Sequence, residues 1–448
     1  MPRLSHAPSS RRVSADGDTI IIGAGAAGLA AAAELVANGQ RVTVLEARDR
    51  LGGRILTKTI PGTPVPMELG AEFVHGESAA VLRWLEIAQD VAIDAGGEHW
   101  TVRGGQLRRA DSQLHRLRHI FGELAPLKRD LAFADFLAHH RRSIPPSIRQ
   151  FAIRMVEGFD AADSTRISAR SVLDEWTGPA AADGPTFRPM RGYHALMQFI
   201  RDTLPAERAT LHLDTVVRSI AWHKGQVTID AQRHGEPVRM RAARAVVTLP
   251  LGVLQAPASS PHAVHFMPDL RSKRRAFAQL ASGPVIKVAM NFSRPFWAEV
   301  HAARYRDAAF FFAPQATFPT FWTSLPLRSS LLIAWSAGPR VEQIAGKDKN
   351  QVLAGVMHSL RAVFGKRDLP SLLEQLEWHD WQHDPFACGA YSYVLAGGGR
   401  ARKLLARPVE ETLFFAGEAC DTSGESGTVG GALQSGRRAA REVLATLS

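Results

Sequence analysis

The 448-residue sequence has little cysteine and no long apolar run, and each shortage excludes a class of protein. Its two cysteines, Cys388 and Cys420, cannot build a framework of disulfides, and they lack the spacing of metal ligands. No apolar run approaches the roughly 20 residues that a helix needs to cross a bilayer. We therefore expect a cytoplasmic protein with no metal site and no membrane span.

Lysine is also scarce, although the chain is strongly basic. Only 9 of the 54 basic residues are lysine, and with 43 acidic residues the formal net charge is +11. A basic chain can bind nucleic acid. The arginines are scattered in pairs, such as Arg108 and Arg109, and they form no long tract, so we expect no nucleic-acid partner. The length exceeds one ordinary core and predicts at least two domains.

The first 17 residues are rich in serine, proline and arginine. The pair Arg11 and Arg12 resembles the start of a twin-arginine export signal, but the apolar segment that such a signal needs does not follow. We expect residues 1–17 to be a disordered tail.

From Thr19 the sequence has the pattern of a dinucleotide-binding unit. A short apolar strand leads into GAGAAG, which begins at Gly23, then into an alanine-rich helix and a second strand that ends at Glu46. In such units the glycines permit a tight turn, close approach of a pyrophosphate and close helix packing, while the acid accepts hydrogen bonds from a ribose. The helix N-terminus adds N–H groups for the phosphates. These surroundings favour a dinucleotide site over an ordinary glycine turn.

The segment SGPVIKVAMNF, residues 282–292, predicts a strand with a single charge, Lys287. Alternation places Lys287 on the more polar face of this strand, together with Ala289 and Asn291. On this pattern alone, a lysine that faces solvent is the favoured interpretation.

Four further motifs carry a resemblance to a known family. Gly52-Gly53-Arg54 and MELGAEFVHG (67–76) follow the first unit, VVTLPLGVL occupies 246–254, and LFFAGEACDTSGESGTVGGALQSGRRAAREVL occupies 413–444. Together they resemble the flavin-containing amine oxidases, which include monoamine oxidases, polyamine oxidases and lysine-specific histone demethylases. The polyamine oxidase-like bacterial branch is the most similar. The resemblance covers nearly the whole chain after residue 17.

The resemblance implies an α/β (α+β) fold of two domains. A Rossmann-type FAD-binding domain would comprise residues 18–74, 206–257 and 372–448. Residues 75–205 and 258–371 would form a substrate domain, with a mixed β-sheet flanked by helices. These lengths leave no room for a tower-like helical insertion, and no nucleosome-binding module precedes the FAD domain, so we do not expect a chromatin demethylase.

The resemblance also implies which residues contact FAD. Val217 would contact the adenine, and Gly417 and Glu418 the ribityl or phosphate region, while a helix beginning near Val429 would aim its N-terminus at the pyrimidine side of the flavin. The full set of expected cofactor contacts is Gly23, Gly25, Ala26, Ala27, Gly28, Glu46, Ala47, Arg48, Gly53, Arg54, Leu69, Gly70, Ala71, Glu72, Phe73, Val217, Thr248, Leu249, Pro250, Trp381, Gly417, Glu418, Thr428 and Val429.

On the substrate side, the resemblance implies roles for five residues. Lys287 would hold a water against flavin N5 and assist reoxidation. Trp381 would pack beside the flavin, and Tyr391 would form one wall of the amine site. Thr428 stands where monoamine oxidases have a second wall tyrosine, and His75 would lie near the substrate.

Two features of the substrate site stay open. An aromatic residue could complete the wall opposite Tyr391, although core packing explains such residues equally well; the candidates are Phe310, Phe312, Phe321 and Trp322. A carboxylate could select a cationic amine, although a solvated or hydrogen-bonded group is the alternative; the candidates are Glu68, Glu72 and Glu77. The position before Tyr391, where monoamine oxidases bond the flavin through cysteine, is Ala390, so we expect non-covalent FAD.

These features predict an FAD-dependent amine oxidase with a small amine and dioxygen as partners. A primary or secondary amine, either a polyamine or a monoamine, would lose hydride to flavin N5. Dioxygen would then reoxidise the flavin to give hydrogen peroxide, and the imine would hydrolyse. An L-amino-acid oxidase and a non-catalytic binding protein are the alternatives. The oligomeric state stays open, a homodimer included.

Overall fold

The computed structural model describes residues 18–61, 63, 65–110, 113–124, 127–177, 185–365 and 368–447. The tail expected over residues 1–17 lies outside these described residues. No helix within the described ranges is long and apolar enough to cross a membrane.

A five-stranded parallel sheet forms the first layer of the molecule. In spatial order its strands are Ala209–His212, Val42–Leu45, Thr19–Ile22, Arg244–Val247 and Leu413–Phe415. The sequences of these strands are nearly continuous apolar runs, because both faces of the sheet are covered. The chain returns to this sheet three times from distant parts of the sequence, which brings the separated motifs to the same edge.

One face of the parallel sheet packs against three helices. The first helix, Ala26–Ala37, lies against the last, Val429–Leu444, and both share a core with Gly192–Asp202. A Cβ on Gly436 would lie 2.1 Å from the Ala27 carbonyl oxygen, so the first and last helices touch through their backbones. This contact holds the two ends of the described chain together beside the same sheet.

The other face of the parallel sheet is covered by a four-stranded sheet. Its strands, in order, are Glu236–Ala242, Gln226–Arg233, Thr215–His223 and His265–Met267. Ile220 and Ile229 from this sheet share a core with Ile20 and Val247 of the parallel sheet. The first three strands of this four-stranded sheet, consecutive in sequence and paired antiparallel, form a small β-meander.

A seven-stranded mixed sheet forms a separate layer and carries the lysine strand. In order its strands are Leu373–Asp380, Val285–Phe292, Leu331–Ala337, Thr320–Thr323, Ala308–Phe312, Glu98–Arg103 and Gln106–Arg109. Only Ala308–Phe312 and Glu98–Arg103 pair in parallel. The predicted boundary at residue 372 groups Leu373–Asp380 with the FAD domain, whereas the structure pairs this strand with Val285–Phe292.

The remaining elements connect these layers. Three small sheets consist of Leu280–Ser282 with Ser392–Val394, Thr57–Lys58 with Met67–Glu68, and Val74–His75 with Thr186–Pro189 and Ala92–Asp94. The other α-helices include Ala79–Ile87, Gln113–Gly122, Phe133–His139, Pro146–Gly158, Ala169–Thr177, Leu251–Leu254, Arg274–Ala278, Lys349–Phe364, Leu369–Leu372 and Ala401–Ala406. Short 3₁₀ helices span Arg271–Lys273, Phe296–Ala298, Gly338–Gln343 and Glu418–Cys420.

Four helices between residues 113 and 177 pack around a core of their own. Phe133, Phe136 and Trp176 lie at its centre, with ring contacts between them. The helix Pro146–Gly158 ends against the large sheet, because the indole Nε1 of Trp335 donates to the Gly158 carbonyl oxygen at 2.8 Å. This contact places the residues after Gly158 at the site described next.

Candidate active site

A cavity of about 200 Å³ begins at the carboxyl ends of the parallel strands and reaches the lysine strand at Val285. Ligands of open α/β sheets bind at these strand ends. The predicted residues that line the cavity are Gly23, Gly25, Ala26, Ala27, Glu46, Ala47, Arg48, Gly53, Arg54, Gly70, Ala71, Val217, Thr248, Leu249, Pro250, Trp381, Tyr391, Gly417, Glu418, Thr428 and Val429. The predicted residues outside this lining are Gly28, Leu69, Glu72, Phe73, His75 and Lys287.

The glycine turn at one end of the cavity leaves no space for side chains. A Cβ on Gly28 would lie 1.9 Å from the Gly23 carbonyl oxygen, and a Cβ on Gly23 would lie 2.5 Å from Thr248 Oγ1. Gly23 also has φ +106°, which other residues rarely adopt. The first helix can therefore begin directly at the strand end, where its N-terminal N–H groups can meet phosphates. The turn fits the pyrophosphate of a dinucleotide.

Glu46 supports the glycine turn as well as facing the cavity. Its Oε2 accepts from the Ala24 N–H at 2.7 Å and its Oε1 from the Arg48 N–H at 3.0 Å. Burial raises the pKa of Glu46, although these two hydrogen bonds oppose the rise. Each carboxylate oxygen has a second lone pair, so Glu46 still has acceptors for ribose hydroxyls.

Arg48 belongs to a cluster that sequence reasoning did not find. It contacts Asp384 at 2.6 Å, and the other oxygen of Asp384 lies 2.8 Å from His379 Nε2. Burial opposes ionisation of Asp384, yet His379 and Arg48 lower its pKa below the usual range. The His379 ring lies 4.1 Å from the ring of Trp381, whose Nε1 donates to the Leu69 carbonyl at 3.0 Å. These contacts fix Trp381 at the cavity wall.

Glu418 ties the closing motif to the Gly-Gly-Arg turn. Its Oε1 lies 2.9 Å from Arg54 Nη1, and its Oε2 accepts from the Ser392 hydroxyl at 2.6 Å. Burial would raise the pKa of Glu418, but Arg54 and Arg402 outweigh it and lower the pKa. Arg54 also donates to the Ala390 carbonyl oxygen, so motifs that are far apart in sequence meet at one point of the cavity.

The last helix begins at Val429, as the sequence predicts, and its N-terminus faces the cavity. Thr428 is the N-cap: its hydroxyl accepts from the Gly431 N–H at 3.0 Å and donates to the Glu425 carbonyl at 2.7 Å. The Thr428 hydroxyl thus has both partners in the protein. The 16-residue helix presents its positive end to this part of the cavity.

Tyr391 forms a wall of the cavity with Trp335 and is supported by Phe159, which lies outside the cavity lining; the sequence indicated neither of these two neighbours. Its hydroxyl donates to the Phe159 carbonyl oxygen, and Trp335 packs in the same apolar cluster as Tyr391. The Phe159 ring is 47% exposed and lies 5.1 Å from the His75 ring. No local pattern marks Phe159 or Trp335, because their position depends on the helix Pro146–Gly158 reaching the large sheet.

The aromatic residues considered for the opposite wall form a cluster around Phe73. The Phe73 ring lies 6.0 Å from Phe310, 5.6 Å from Trp322 and 5.9 Å from His75. Phe312 stacks on Phe310 at 6.1 Å, whereas Phe321 is fully buried in the core of the large sheet. Phe73, expected to contact the cofactor, therefore belongs to this cluster rather than to the cavity lining.

Lys287 is 1% exposed, so the interpretation of a solvent-facing lysine is wrong. Its strand lies inside the seven-stranded sheet, with both faces covered. Lys287 Nζ lies 2.7 Å from Glu72 Oε2, donates to the Gly70 carbonyl at 3.0 Å, and stands 5.1 Å from the centre of the Trp322 ring. Because Gly70 lines the cavity, only the backbone around Gly70 separates the Lys287 ammonium from the cavity.

Glu72 was expected to contact FAD or substrate, but the structure gives it three protein partners. Besides Lys287, its carboxylate meets Arg188 Nε at 2.8 Å and Trp322 Nε1 at 3.0 Å. Burial alone would raise the pKa of Glu72, but Lys287 and Arg188 more than compensate and lower it. The two cations hold this carboxylate on the far side of the backbone from the cavity.

Comparisons with known proteins agree with this geometry. The family model described as flavin containing amine oxidoreductase matches residues 26–444. Human lysine-specific histone demethylase 2 is 29% identical over 95% of this chain, but the chain spans only 53% of that protein's length. Putrescine oxidase of Kocuria rosea is 26% identical, with 95% of each chain covered.

A solved structure has the same fold. Wild-type putrescine oxidase bound to putrescine superposes with a TM-score of 0.78 at 20% identity, covering 97% of this chain and 100% of that one. The predicted architecture is thereby confirmed, including its mixed β-sheet and its combination of helices and strands.

Proposed function

The chain belongs to the family of flavin-containing amine oxidoreductases, and from that premise we propose that it oxidises a primary or secondary amine with non-covalently bound FAD. One observation carries the proposal. A single cavity joins a glycine cradle fit for a pyrophosphate to a wall of aromatic side chains, with a buried lysine just behind it. A flavin in this cavity would receive the hydride of an amine and pass two electrons to dioxygen.

The residues of the cavity suit each part of FAD. Gly23 and Gly25 leave room for the pyrophosphate, Glu46 would offer acceptors to the ribose, and Val217, which lines the cavity, would contact the adenine. The N-terminus of the helix beginning at Val429 would stabilise negative charge on the reduced ring.

Non-covalent attachment follows from the residues beside Tyr391. The preceding residue is Ala390, and the nearby Cys388 is outside the cavity lining, with its thiol directed to the Pro385 carbonyl at 3.7 Å. No cysteine is among the residues that line the cavity. Acid precipitation should release all flavin into the supernatant, and flavin that stays in the pellet would contradict this assignment.

The protein would act by positioning and electrostatics. Tyr391, Trp335 and Trp381 form an apolar enclosure that would exclude water and orient the amine carbon. Lys287 would place positive charge, and a held water, beside the reacting ring. The overall reaction converts amine, dioxygen and water into aldehyde, hydrogen peroxide and the released amine or ammonia. Hydride loss from a neutral amine needs no strong protein base.

The cavity favours an amine over an amino acid as substrate. An amino-acid carboxylate would require a free arginine, but the arginines of the lining already have partners. Arg48 pairs with Asp384, Arg54 with Glu418, and Arg218 donates to Gln232 and to the Pro261 carbonyl. We therefore keep the amino-acid oxidase as the second candidate.

A carboxyl group near Tyr391 also favours a cation. Asp160 follows Phe159, and its carboxyl group shares a hydrogen bond with that of Glu175; neither residue lines the cavity. Burial and the neighbouring Glu175 raise the pKa of Asp160 well above its usual value. An ammonium group beside this pair would stabilise its ionised form. The relatives named for polyamines or putrescine are consistent with a substrate that carries a second amine.

A substrate panel tests the proposal. Purified protein is mixed with diamines, polyamines, monoamines and L-amino acids, and peroxide release is measured together with anaerobic bleaching of the flavin. We expect bleaching and peroxide with amines and neither with amino acids. Bleaching without peroxide would indicate a dehydrogenase, and no bleaching with any amine would refute the proposal.

Two further parts of this proposal are dioxygen as the electron acceptor and the cytoplasm as the compartment. The compartment is proposed because both cysteines are free.

A further inference from the structure

A second cavity lies on the other side of the backbone that separates Lys287 from the first. Its volume is about 30 Å³, which is enough for water molecules. Three ionisable side chains line it, Glu68, Glu72 and Arg188, while most of the other lining residues are apolar. Gly70 and Ala71, from the same short segment, line the first cavity. Residues 67–73 are therefore a thin partition between the two cavities, and the contact between Lys287 and Glu72 lies on the side of the second cavity.

Glu68 is a buried carboxyl group that cofactor binding does not explain. It is 5% exposed, does not line the first cavity, and accepts from the Thr57 hydroxyl at 2.7 Å and the Tyr193 N–H at 3.1 Å. Burial raises its pKa to about 7, against the opposing effects of the Thr57 bond and of Lys287. A carboxyl group in this state can both give and accept a proton near neutral pH.

The proposed reaction consumes a proton where dioxygen is reduced, beside the flavin. Dioxygen becomes hydrogen peroxide by taking two electrons and two protons. One proton leaves the reduced cofactor together with the electrons, and the other must come from solvent through the protein. Lys287 is a buried cation that would stand beside the reacting ring, behind the Gly70 backbone, and its own strand separates it from bulk water.

We propose that the second cavity is a proton entry route to Lys287, with Glu68 as the proton donor and Glu72 as the link. This inference rests on the proposed oxidase function. Lys287 gives a proton to the forming peroxide through the water that it would hold at the first cavity. A proton then passes from the Glu68 carboxyl group through water in the second cavity to Glu72 and on to the Lys287 amine, and solvent reprotonates Glu68.

Among the ionisable groups along this route, Glu68 is the one whose protonation changes near neutral pH. Lys287 and Arg188 both contact Glu72 and favour its ionised form. Tyr193 faces Glu68 through its backbone N–H, while its hydroxyl donates to the Phe73 carbonyl. On the neighbouring strand His379 is opposite Lys287, but its Nε2 is bound to Asp384.

Reoxidation of pre-reduced protein tests the route without any amine. The flavoprotein is reduced with dithionite, mixed with dioxygen, and followed by flavin absorbance between pH 5 and 9. In the wild type we expect a step in the rate near neutral pH, faster on the acidic side. Glu68→Gln should remove this step and slow reoxidation at low pH by roughly tenfold or more. Glu157→Gln is the matched control, because Glu157 is also a carboxyl group with a raised pKa that accepts from a hydroxyl, that of Ser164.

A second readout does not depend on turnover. Infrared spectra of the oxidised flavoprotein should contain a protonated carboxyl band that titrates near neutral pH and is missing in Glu68→Gln. Thr57→Val, which removes one hydrogen bond to Glu68, should move both the band and the rate step to higher pH, and it keeps the test available if Glu68→Gln does not fold. Wild-type reoxidation with an unchanged pH step in either variant would overturn the route, whereas a failed amine panel would overturn only the oxidase function.

Discussion

Two lysines of this protein are equally buried but are held in opposite ways. Lys273 and Lys287 are each 1% exposed. The ammonium of Lys273 donates to the carbonyl oxygens of Leu404, Leu405 and Arg407, at the end of the helix Ala401–Ala406. These are fixed, neutral acceptors at the negative end of a helix, and they stabilise the cation where it is.

Lys287 instead faces a carboxylate at the boundary between two cavities. Glu72 pairs with it at 2.7 Å, and one backbone carbonyl, that of Gly70, is its other hydrogen-bond acceptor. Lys273 lines neither of the two cavities described above, and no acidic side chain contacts its ammonium within 4 Å in the described part of the chain. Burial of a lysine is thus no indication of function by itself; the kind of partner and the nearness of a cavity distinguish the two.

Among the variants that test this contrast between the two lysines, Lys287→Met should have the largest effect, and the effect should be on turnover. The substitution keeps the volume but removes the cation that would hold water beside the flavin, so we expect turnover to fall about a hundredfold or more. Steady-state peroxide formation and single-turnover absorbance would measure it. Lys273→Met is the matched control and should keep turnover per folded molecule. Wild-type turnover in Lys287→Met would refute the role of Lys287.

Lys273→Met should instead lower stability. Three carbonyl oxygens at a buried helix end would lose their donor, and each unsatisfied acceptor costs about 1–3 kcal/mol, so we expect a loss of about 4 kcal/mol in the free energy of unfolding. Urea unfolding followed by fluorescence measures this loss. A loss below about 1 kcal/mol would mean that water replaces the ammonium, and Lys273 would then not support the helix end.

The sequence predicted local features of this molecule well and distant contacts poorly. The first strand, the glycine turn and the first helix were expected within a residue or two of their positions, because a dinucleotide-binding unit is encoded in one continuous stretch. The alternation of Val285–Phe292 placed Lys287 on a face but could not say what covers that face. The cover includes Glu72, which is 215 residues from Lys287 in sequence, and Trp322, which is 250 residues from Glu72.

The candidate site was predicted unevenly for the same reason. Residues within motifs, such as Glu46 and Glu418, reach the cavity because the parallel strands carry the motifs to one edge. Trp335, which lines the cavity, and Phe159, which supports Tyr391 from outside it, were missed, since no local pattern distinguishes such residues from core residues. Glu72 was singled out, but its partners Lys287 and Arg188 were not, because they are distant in sequence and its neighbour Ala71 faces the first cavity.

Glu68→Gln should change how stability depends on pH. The pKa of Glu68 is about 7 in the folded protein and near 4.5 when exposed, so its stabilising contribution is full below pH 4.5 and is lost as the pH rises through 7. Over that range the wild type should lose up to about 3 kcal/mol relative to the variant, from about 1.4 kcal/mol per pKa unit. Urea unfolding at several pH values would measure the difference. If the free energies of unfolding of the wild type and the variant changed with pH in parallel, Glu68 would have an ordinary pKa. Glu68 would then not differ from Glu72, which is paired with Lys287 and Arg188.

Thr428→Ala should have the smallest effect. It tests the N-terminal end of the last helix, whereas Lys273 stabilises the C-terminal end of a different helix, Ala401–Ala406. The Thr428 hydroxyl accepts from the Gly431 N–H at the start of the last helix, so its loss should cost about 1 kcal/mol of stability. Since this hydroxyl already has a donor and an acceptor in the protein, we expect little change in turnover with the best amine of the panel. Thr428→Ser restores the cap and should restore the stability. A fall in turnover of more than about tenfold in both variants would show instead that the methyl group of Thr428 contacts the substrate, and the cap would then be secondary to its place in the wall.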